Sequence, residues 1–180
     1  MYAFLLNEPD FANYDISSIK IAVWGGAALP EDVHRRFKER FGLEILEGYG
    51  LSETSPVASF HLEGMEVKVG SIGKPIWGVD MCIKKDDGSI APAGEVGEIC
   101  IRGHNIMKGY FNRPEATKEA IIDGWFHTGD IGRQDEDGYF FIVDRKKDLI
   151  IRGGMNIYPR EIEEVLYQHP KVLEAAVIGI

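Results

Sequence analysis

Tyr49, Ser52 and Glu53 stand close together in LEGYGLSETSP, residues 46–56, among two glycines. An aromatic ring, a hydroxyl and a carboxylate beside Gly48 and Gly50 suit the phosphate-handling loop of a nucleotide enzyme. The same residues also suit a plain turn that ends a strand, and a glycine-rich turn alone does not decide between the two. A second glycine turn, GGAAL at 25–29, precedes it. Farther along, HTGD (127–130) offers the acid Asp130, and VDRKKD (143–148) offers the base Arg145.

These groups act together only if the fold brings them to one place. Residues 19–24 (IKIAVW) form a β-branched run ending at Gly25 and Gly26. Pro30 suits the start of a helix, with Glu31 and Asp32 in its first turn. Val33, Phe37 and Phe41 recur at helical spacing, and Gly42 stops the helix. A further strand begins at residues 43–46 and runs into Gly48-Tyr49-Gly50. Strand–helix–strand order predicts two parallel neighbours, so both glycine turns leave the same edge of a sheet. Open α/β sheets bind ligands along that edge.

From residue 70 short strands alternate with turn signals such as Asp87-Gly88 and Ala93-Gly94, which reads as an all-β module. Residues 114–121 read as a short helix. QDEDG at 134–138 reads as a hairpin turn. A turn centred on Glu136 and Asp137 would put Asp130 opposite Val143, beside Asp144 and Arg145. That pairing serves either a ligand site or a surface salt bridge of little energetic weight. LIIRGGMNIYP reads as a strand, a glycine turn and a helix opened by Pro159, with Ile162, Val165 and Leu166 on one face. Residues 172–180 read as a final strand. DRKKD is a candidate linker between two folding units.

Composition narrows the classes. Of 180 residues, 44% are hydrophobic and 27% charged, as in globular proteins generally. Acids outnumber bases by 29 to 20, a net charge of −9, which argues against a nucleic-acid groove. No apolar run approaches the roughly 20 residues that span a bilayer, and residues 1–11 lack the basic start of a signal peptide. Cys82 and Cys100 lie in apolar strands without metal-ligand spacing. They read as reduced thiols of a cytoplasmic protein, with a disulfide as the alternative. The five histidines are scattered, which argues against zinc.

The motifs GGAALP, GYGLSETSP, GEVGEICIRG, MKGY, DGWFHTGD, GYFFIVDRKKDLIIRGGMNIYPREIEE and HPKV occur together in this order. Over residues 19–180 the chain resembles the adenylate-forming (AMP-binding) acyl-CoA synthetases, most of all the fatty-acid–CoA ligase branch. The resemblance implies an α/β plus β fold. Residues 1–69 would end the α/β part of a large AMP-binding domain, and 70–144 would form a distorted β-barrel. Residues 145–148 would be a hinge, and 149–180 the start of a small α+β domain.

It also implies an activity in two steps. A carboxylate attacks the α-phosphate of Mg-ATP to give acyl-AMP; coenzyme A then displaces AMP after the small domain turns. Tyr49 resembles the aromatic that stacks on adenine, with Gly26, Ala27 and Ala28 as the opposite wall and Gly48 and Gly50 in the same nucleotide loop. Ser52, where the family has threonine, would contact the α-phosphate, and Glu53 would bind Mg²⁺. Asp130 and Arg145 would hold the ribose. Lys147 would be the hinge residue, and Gly153 and Gly154 would line the coenzyme A channel. A fatty or other carboxylic acid is the expected substrate; a fatty one would favour peripheral membrane contact. Trp24, where relatives carry a small residue, either shortens an acyl tunnel or ends a buried strand. The family's glycine-rich phosphate loop and its C-terminal catalytic lysine do not occur here, so the chain reads as an internal fragment, inactive alone.

Overall fold

The computed structural model describes every residue except Ala28, Glu63, Pro170 and Leu173, and the side chains of Ala3, Phe11 and Ala12. Helix α1 (Tyr2–Asn7) leads, by way of a 3-10 turn, to strand β1 (Ala22–Trp24). Helix α2 (Glu31–Phe41) connects β1 to the parallel strand β2 (Ile45–Gly50), with Ala22 facing Ile45 and Trp24 facing Glu47. The acids Glu31 and Asp32 sit at the positive end of α2, and Lys38 and Arg40 at its negative end. Gly42 closes the helix at φ 66°, a left-handed conformation that favours glycine, and its N–H bonds the Lys38 carbonyl at 2.9 Å. Phe37 is buried against Tyr2, edge to face with ring centroids 4.7 Å apart. These two residues, with Leu6, Ala22, Leu29 and Ile45, form one apolar core.

Two antiparallel strands, β3 (Val57–Phe60) and β4 (Lys74–Pro75), complete a four-stranded sheet in the order β1-β2-β3-β4. The second sheet is antiparallel. Strands β5 (Val79–Lys84) and β6 (Val96–Gly103) pair, followed by helix α3 (Pro114–Ala120), strand β7 (Ile121–Ile122) and the long β8 (Trp125–Gln134). Strand β8 pairs with β6, with β7 and with β9 (Phe140–Arg145). Residues 71–73 bridge to β9, through Ile72 N–H to the Phe140 carbonyl (2.9 Å) and Phe140 N–H to the Gly73 carbonyl (3.0 Å). The sheets curl into a half-barrel around a core that mixes Tyr49 and Ala58 with Met81, Ile83, Ile99, Ile101 and Phe140. A 3-10 turn (Lys146–Asp148), strands β10 (Ile150–Arg152) and β11 (Met155–Ile157), and helix α4 (Pro159–Tyr167) follow.

Four details depart from the sequence reading. The LEGYG run is strand through Gly50, and the turn begins only at Leu51. Gly48 and Gly50 are required there by packing: a Cβ on Gly48 would meet the Phe60 ring, and one on Gly50 the Pro56 carbonyl. The β8–β9 hairpin slips at Ile131/Gly132, so Asp130 faces Arg145 rather than Val143. Residues 150–157 form a two-stranded hairpin turned by Gly153 and Gly154 at φ 61° and 80°, where a single strand was expected. Residues 172–180 have no strand partner among the described residues; the Val177 N–H bonds the Glu163 carboxylate instead, at 2.8 Å. The apolar stripe Ile162, Val165 and Leu166 faces outward.

Candidate active site

A cavity of about 330 Å³ opens where the two sheets and α4 meet. Its walls include Gly26, Ala27, Gly48, Tyr49, Gly50, Asp130 and Arg145, seven of the residues singled out in the sequence. Glu47, Asp144 and Arg160 add to its polar lining, as do Glu163, Glu164 and Tyr167 of α4. The volume falls within the range of about 300–1,000 Å³ usual for small-molecule pockets.

Strand periodicity explains how β2 serves the cavity. Ile45, Glu47 and Tyr49 alternate with less buried neighbours, so all three point to one face. Tyr49 donates its hydroxyl to Asp130 Oδ2 at 2.5 Å. Burial, and then the negative charge of Asp130, raise the phenol far above its usual range, so it remains a donor. Arg145 Nε lies 3.4 Å from Asp130 Oδ1, a pair half open to solvent on the arginine side. A carboxylate offers about four lone-pair sites. With Tyr49 and Arg145 counted, Asp130 has acceptor sites for about two further donors.

Asp130 reaches this position through a bulge. Glu98 of β6 faces Ile131, yet Cys100, two residues on, faces His127. Thr128-Gly129-Asp130 is therefore looped out opposite Ile99 alone. Gly129 supplies the left-handed backbone at φ 74°. The Thr128 hydroxyl donates to the Ile99 carbonyl at 2.8 Å and accepts the Asp130 N–H at 3.0 Å. Opposite, the turn after β1 is pinned by the Trp24 indole, which donates to the Ala27 carbonyl at 2.6 Å. Trp24 itself packs on the first core, 5.6 Å from Tyr2.

Several cavity residues were given no role in the sequence reading, Glu47, Asp144 and Arg160 among them. Glu47 shares the strand face of Tyr49, a period-two signal that was available. Burial raises its carboxyl to about 7, against the opposing pull of Arg160 and of the Gly70 and Leu29 N–H groups. Asp144 accepts the Arg160 N–H at 3.1 Å in the first turn of α4, where a carboxylate is favoured. Arg160 also donates to the Ile142 carbonyl at 3.0 Å. Only tertiary packing reveals those last two.

The remaining expected residues lie elsewhere. Ser52 and Glu53 occupy the 3-10 turn directly after Leu51, a cavity residue, but do not line the cavity themselves. Glu53 accepts the Tyr110 hydroxyl at 2.9 Å, and its own carbonyl accepts the Met107 N–H at 2.8 Å. Among the described residues no cluster of three or more His, Cys, Asp or Glu could hold a metal. A lone carboxylate still fits Mg²⁺, which takes one or two carboxylates plus phosphate oxygens. Lys147 sits in the exposed turn after β9, and Gly153 and Gly154 in the β10–β11 turn, all outside the cavity walls. Ala28 lies outside the described residues. Both cysteines are free and buried, and no helix among the described residues is long and apolar enough to cross a membrane.

The cavity thus sits at a sheet edge and holds a bulged aspartate, a buried tyrosine and an arginine. The AMP-binding enzyme family matches residues 1–111, and the chain belongs to it. It is 48% identical over a 181-residue alignment to the long-chain-fatty-acid–CoA ligase of Bacillus subtilis (strain 168), covering all of this chain and 32% of that protein. It is 45% identical to a feruloyl-CoA synthase of Amycolatopsis sp, of which it covers 37%. ATP-bound MatB from Rhodopseudomonas palustris is similar at 37% identity with a TM-score of 0.95, over 99% of this chain and 36% of MatB. Apo MatB, aligned to the same extent, gives 0.84. The chain thus spans about a third of the length of the curated relatives it matches.

Proposed function

We propose that this chain is the nucleotide-holding segment of an acid–thiol ligase, which activates a carboxylic acid with ATP as acyl-AMP and passes the acyl group to coenzyme A. The observation that carries this is the convergence of Gly26-Ala27, Tyr49 and the Asp130–Arg145 pair on one cavity. In this reading Tyr49 presents its ring to adenine while its hydroxyl orients Asp130. Asp130 accepts the ribose hydroxyls, and Arg145 balances its charge. Ser52 donates to the α-phosphate, and Glu53, oriented by Tyr110, holds Mg²⁺. When bound, the ion would neutralise phosphate charge as pyrophosphate departs.

Residues 1–69 and 70–144 form the large-domain part, 145–148 the hinge with Lys147 at its centre, and 149–180 the small-domain part. Gly153 and Gly154, at the tip of their hairpin, line the coenzyme A path once the small part has turned. We place the enzyme in the cytoplasm on the strength of its two buried thiols, with contact to a membrane periphery if its substrate is a long-chain acid.

The likeness to the fatty-acid–CoA ligase favours a fatty acid, and the likeness to the feruloyl-CoA synthase supports an aromatic acid as the second reading. Transfer to a carrier-protein thiol is a variant of either. The test is acid-dependent pyrophosphate release by the full-length enzyme, run with fatty and aromatic acids and followed by product analysis with coenzyme A. No release with any carboxylic acid would sink the proposal; accumulation of acyl-AMP despite coenzyme A would point to a carrier protein. The 180-residue chain alone is expected to bind AMP weakly and to form no acyl-AMP.

A further inference from the structure

Glu98 lies outside the cavity yet touches both ends of the machinery. Its side chain, 14% exposed, rises from β6 at the register shift that creates the 128–130 bulge. Oε1 accepts the Gly129 N–H at 3.0 Å. Oε2 accepts His127 Nδ1 at 3.2 Å and Lys146 Nζ at 3.3 Å. This contact assigns the Nδ1–H tautomer to His127. The Cys100 thiol also lies 3.5 Å from that nitrogen, and Lys146 has a second, looser partner in Asp86 at 3.8 Å. Burial pushes the Glu98 carboxyl upward, but its three donors prevail and hold it below the ordinary range.

One carboxylate therefore grips two things at once: the middle residue of the bulge that carries Asp130, and the residue that precedes Lys147. We propose that Glu98 is a positioning residue that couples the orientation of the 145–148 hinge to the seating of the ribose carboxylate. The inference rests on the roles given above to Asp130 and the hinge. With Lys146 engaged, Oε2 is anchored and Oε1 keeps the bulge closed. When the hinge turns and Lys146 departs, only His127 restrains Oε2, and the bulge loosens around Asp130. The arrangement described here, with Lys146 Nζ on Glu98 Oε2, is the engaged one.

The test separates the two half-reactions in the full-length enzyme. Lys146→Met removes the hinge-side bond, together with the looser contact to Asp86, and leaves the Gly129 and His127 bonds of Glu98 in place. Glu98→Gln keeps an acceptor for Gly129 but turns an amide N–H₂ toward Lys146, and Glu98→Ala removes both grips. Lys146→Met and Glu98→Gln are expected to lower kcat for acyl-AMP formation about three- to tenfold, the loss of one half-exposed charged hydrogen bond, with little change in KM for ATP. Thioester formation from supplied acyl-AMP should hold steady or quicken. The double variant should be no worse than Glu98→Gln alone, because that change already removes the Lys146 contact along with the His127 one. Glu98→Ala should raise KM for ATP as well, and Glu98→Gln should restore that KM but not kcat.

Equal losses in both half-reactions, or additive losses in the double variant, would overturn the proposal in favour of a general stabilising role. Lys146 is half exposed, so its variant decides the matter even if Glu98→Ala does not fold. Asp130→Ala separates the premise from the inference. An unchanged KM for ATP in that variant removes the ribose role, whereas non-additivity between positions 98 and 146 reports the coupling regardless.

Discussion

Replacing Glu47 by glutamine removes a charge from a site where charge is costly. The residue is 5% exposed, and its carboxyl is raised from 4.5 to about 7, chiefly by burial. Between those values the folded chain holds a proton that the unfolded chain has released. Stability contributed by the neutral form is therefore complete below about 4.5, falls as pH rises, and is lost above about 7. At 1.36 kcal/mol per unit, the upper bound is about 3 kcal/mol. Arg160 and the Gly70 and Leu29 N–H groups favour the charge, and glutamine forfeits part of that help. Glu47→Gln should then stabilise the chain by about 1–2 kcal/mol at pH 8, or about 2–8 °C in Tm for a domain of this size. At pH 4.5 the gain should vanish. Thermal unfolding followed by circular dichroism at both pH values checks this. A difference in Tm that is the same at both pH values, or a loss at pH 8, would refute the reasoning, because neither leaves room for a buried titrating carboxyl.

Tyr49→Phe keeps the ring and deletes the donor to Asp130, so urea denaturation should show a loss of about 1–3 kcal/mol; an unchanged midpoint would mean the bond contributes nothing. Gly50→Ala forces a Cβ against the Pro56 carbonyl and should cost about 1–3 kcal/mol by the same assay, whereas a neutral result would show that the β2–β3 pairing can yield. Burial raises Cys82 and pushes Cys100 up to about 12, so iodoacetamide at pH 8 should label both thiols slowly in the native chain and rapidly in urea. Fast native labelling would contradict the buried placement.

Local signals carried much of the fold. Pro30, the Val33–Phe37–Phe41 spacing and Gly42 bound α2 to within a residue, and its place between two strands made β1 and β2 parallel. The juxtaposition of Asp130 and Arg145 was readable from the QDEDG turn, but its register was not. A bulge adds a residue to one strand, and nothing in a period-two pattern announces where. Gly48-Tyr49-Gly50 was misplaced as a turn because glycine signals both reversal and close packing, and here Phe60 and Pro56 impose the second. Arg160 and Asp144 were invisible because their role arises only when α4 docks on β9. Residues 172–180 have strand composition but no strand pairing among the described residues, and composition alone makes no ladder.

The hydrogen bond between Tyr49 and Asp130 joins residues 81 positions apart, one from each sheet. A ligand lodged between them would lean on both sheets at once, and on α4 besides. Its binding free energy becomes folding free energy, adding about 2.7 kcal/mol at a hundredfold excess over Kd. Melting temperature would thus act as an occupancy gauge: with no turnover to measure, a nucleotide that fits this cavity declares itself by how much heat the chain withstands.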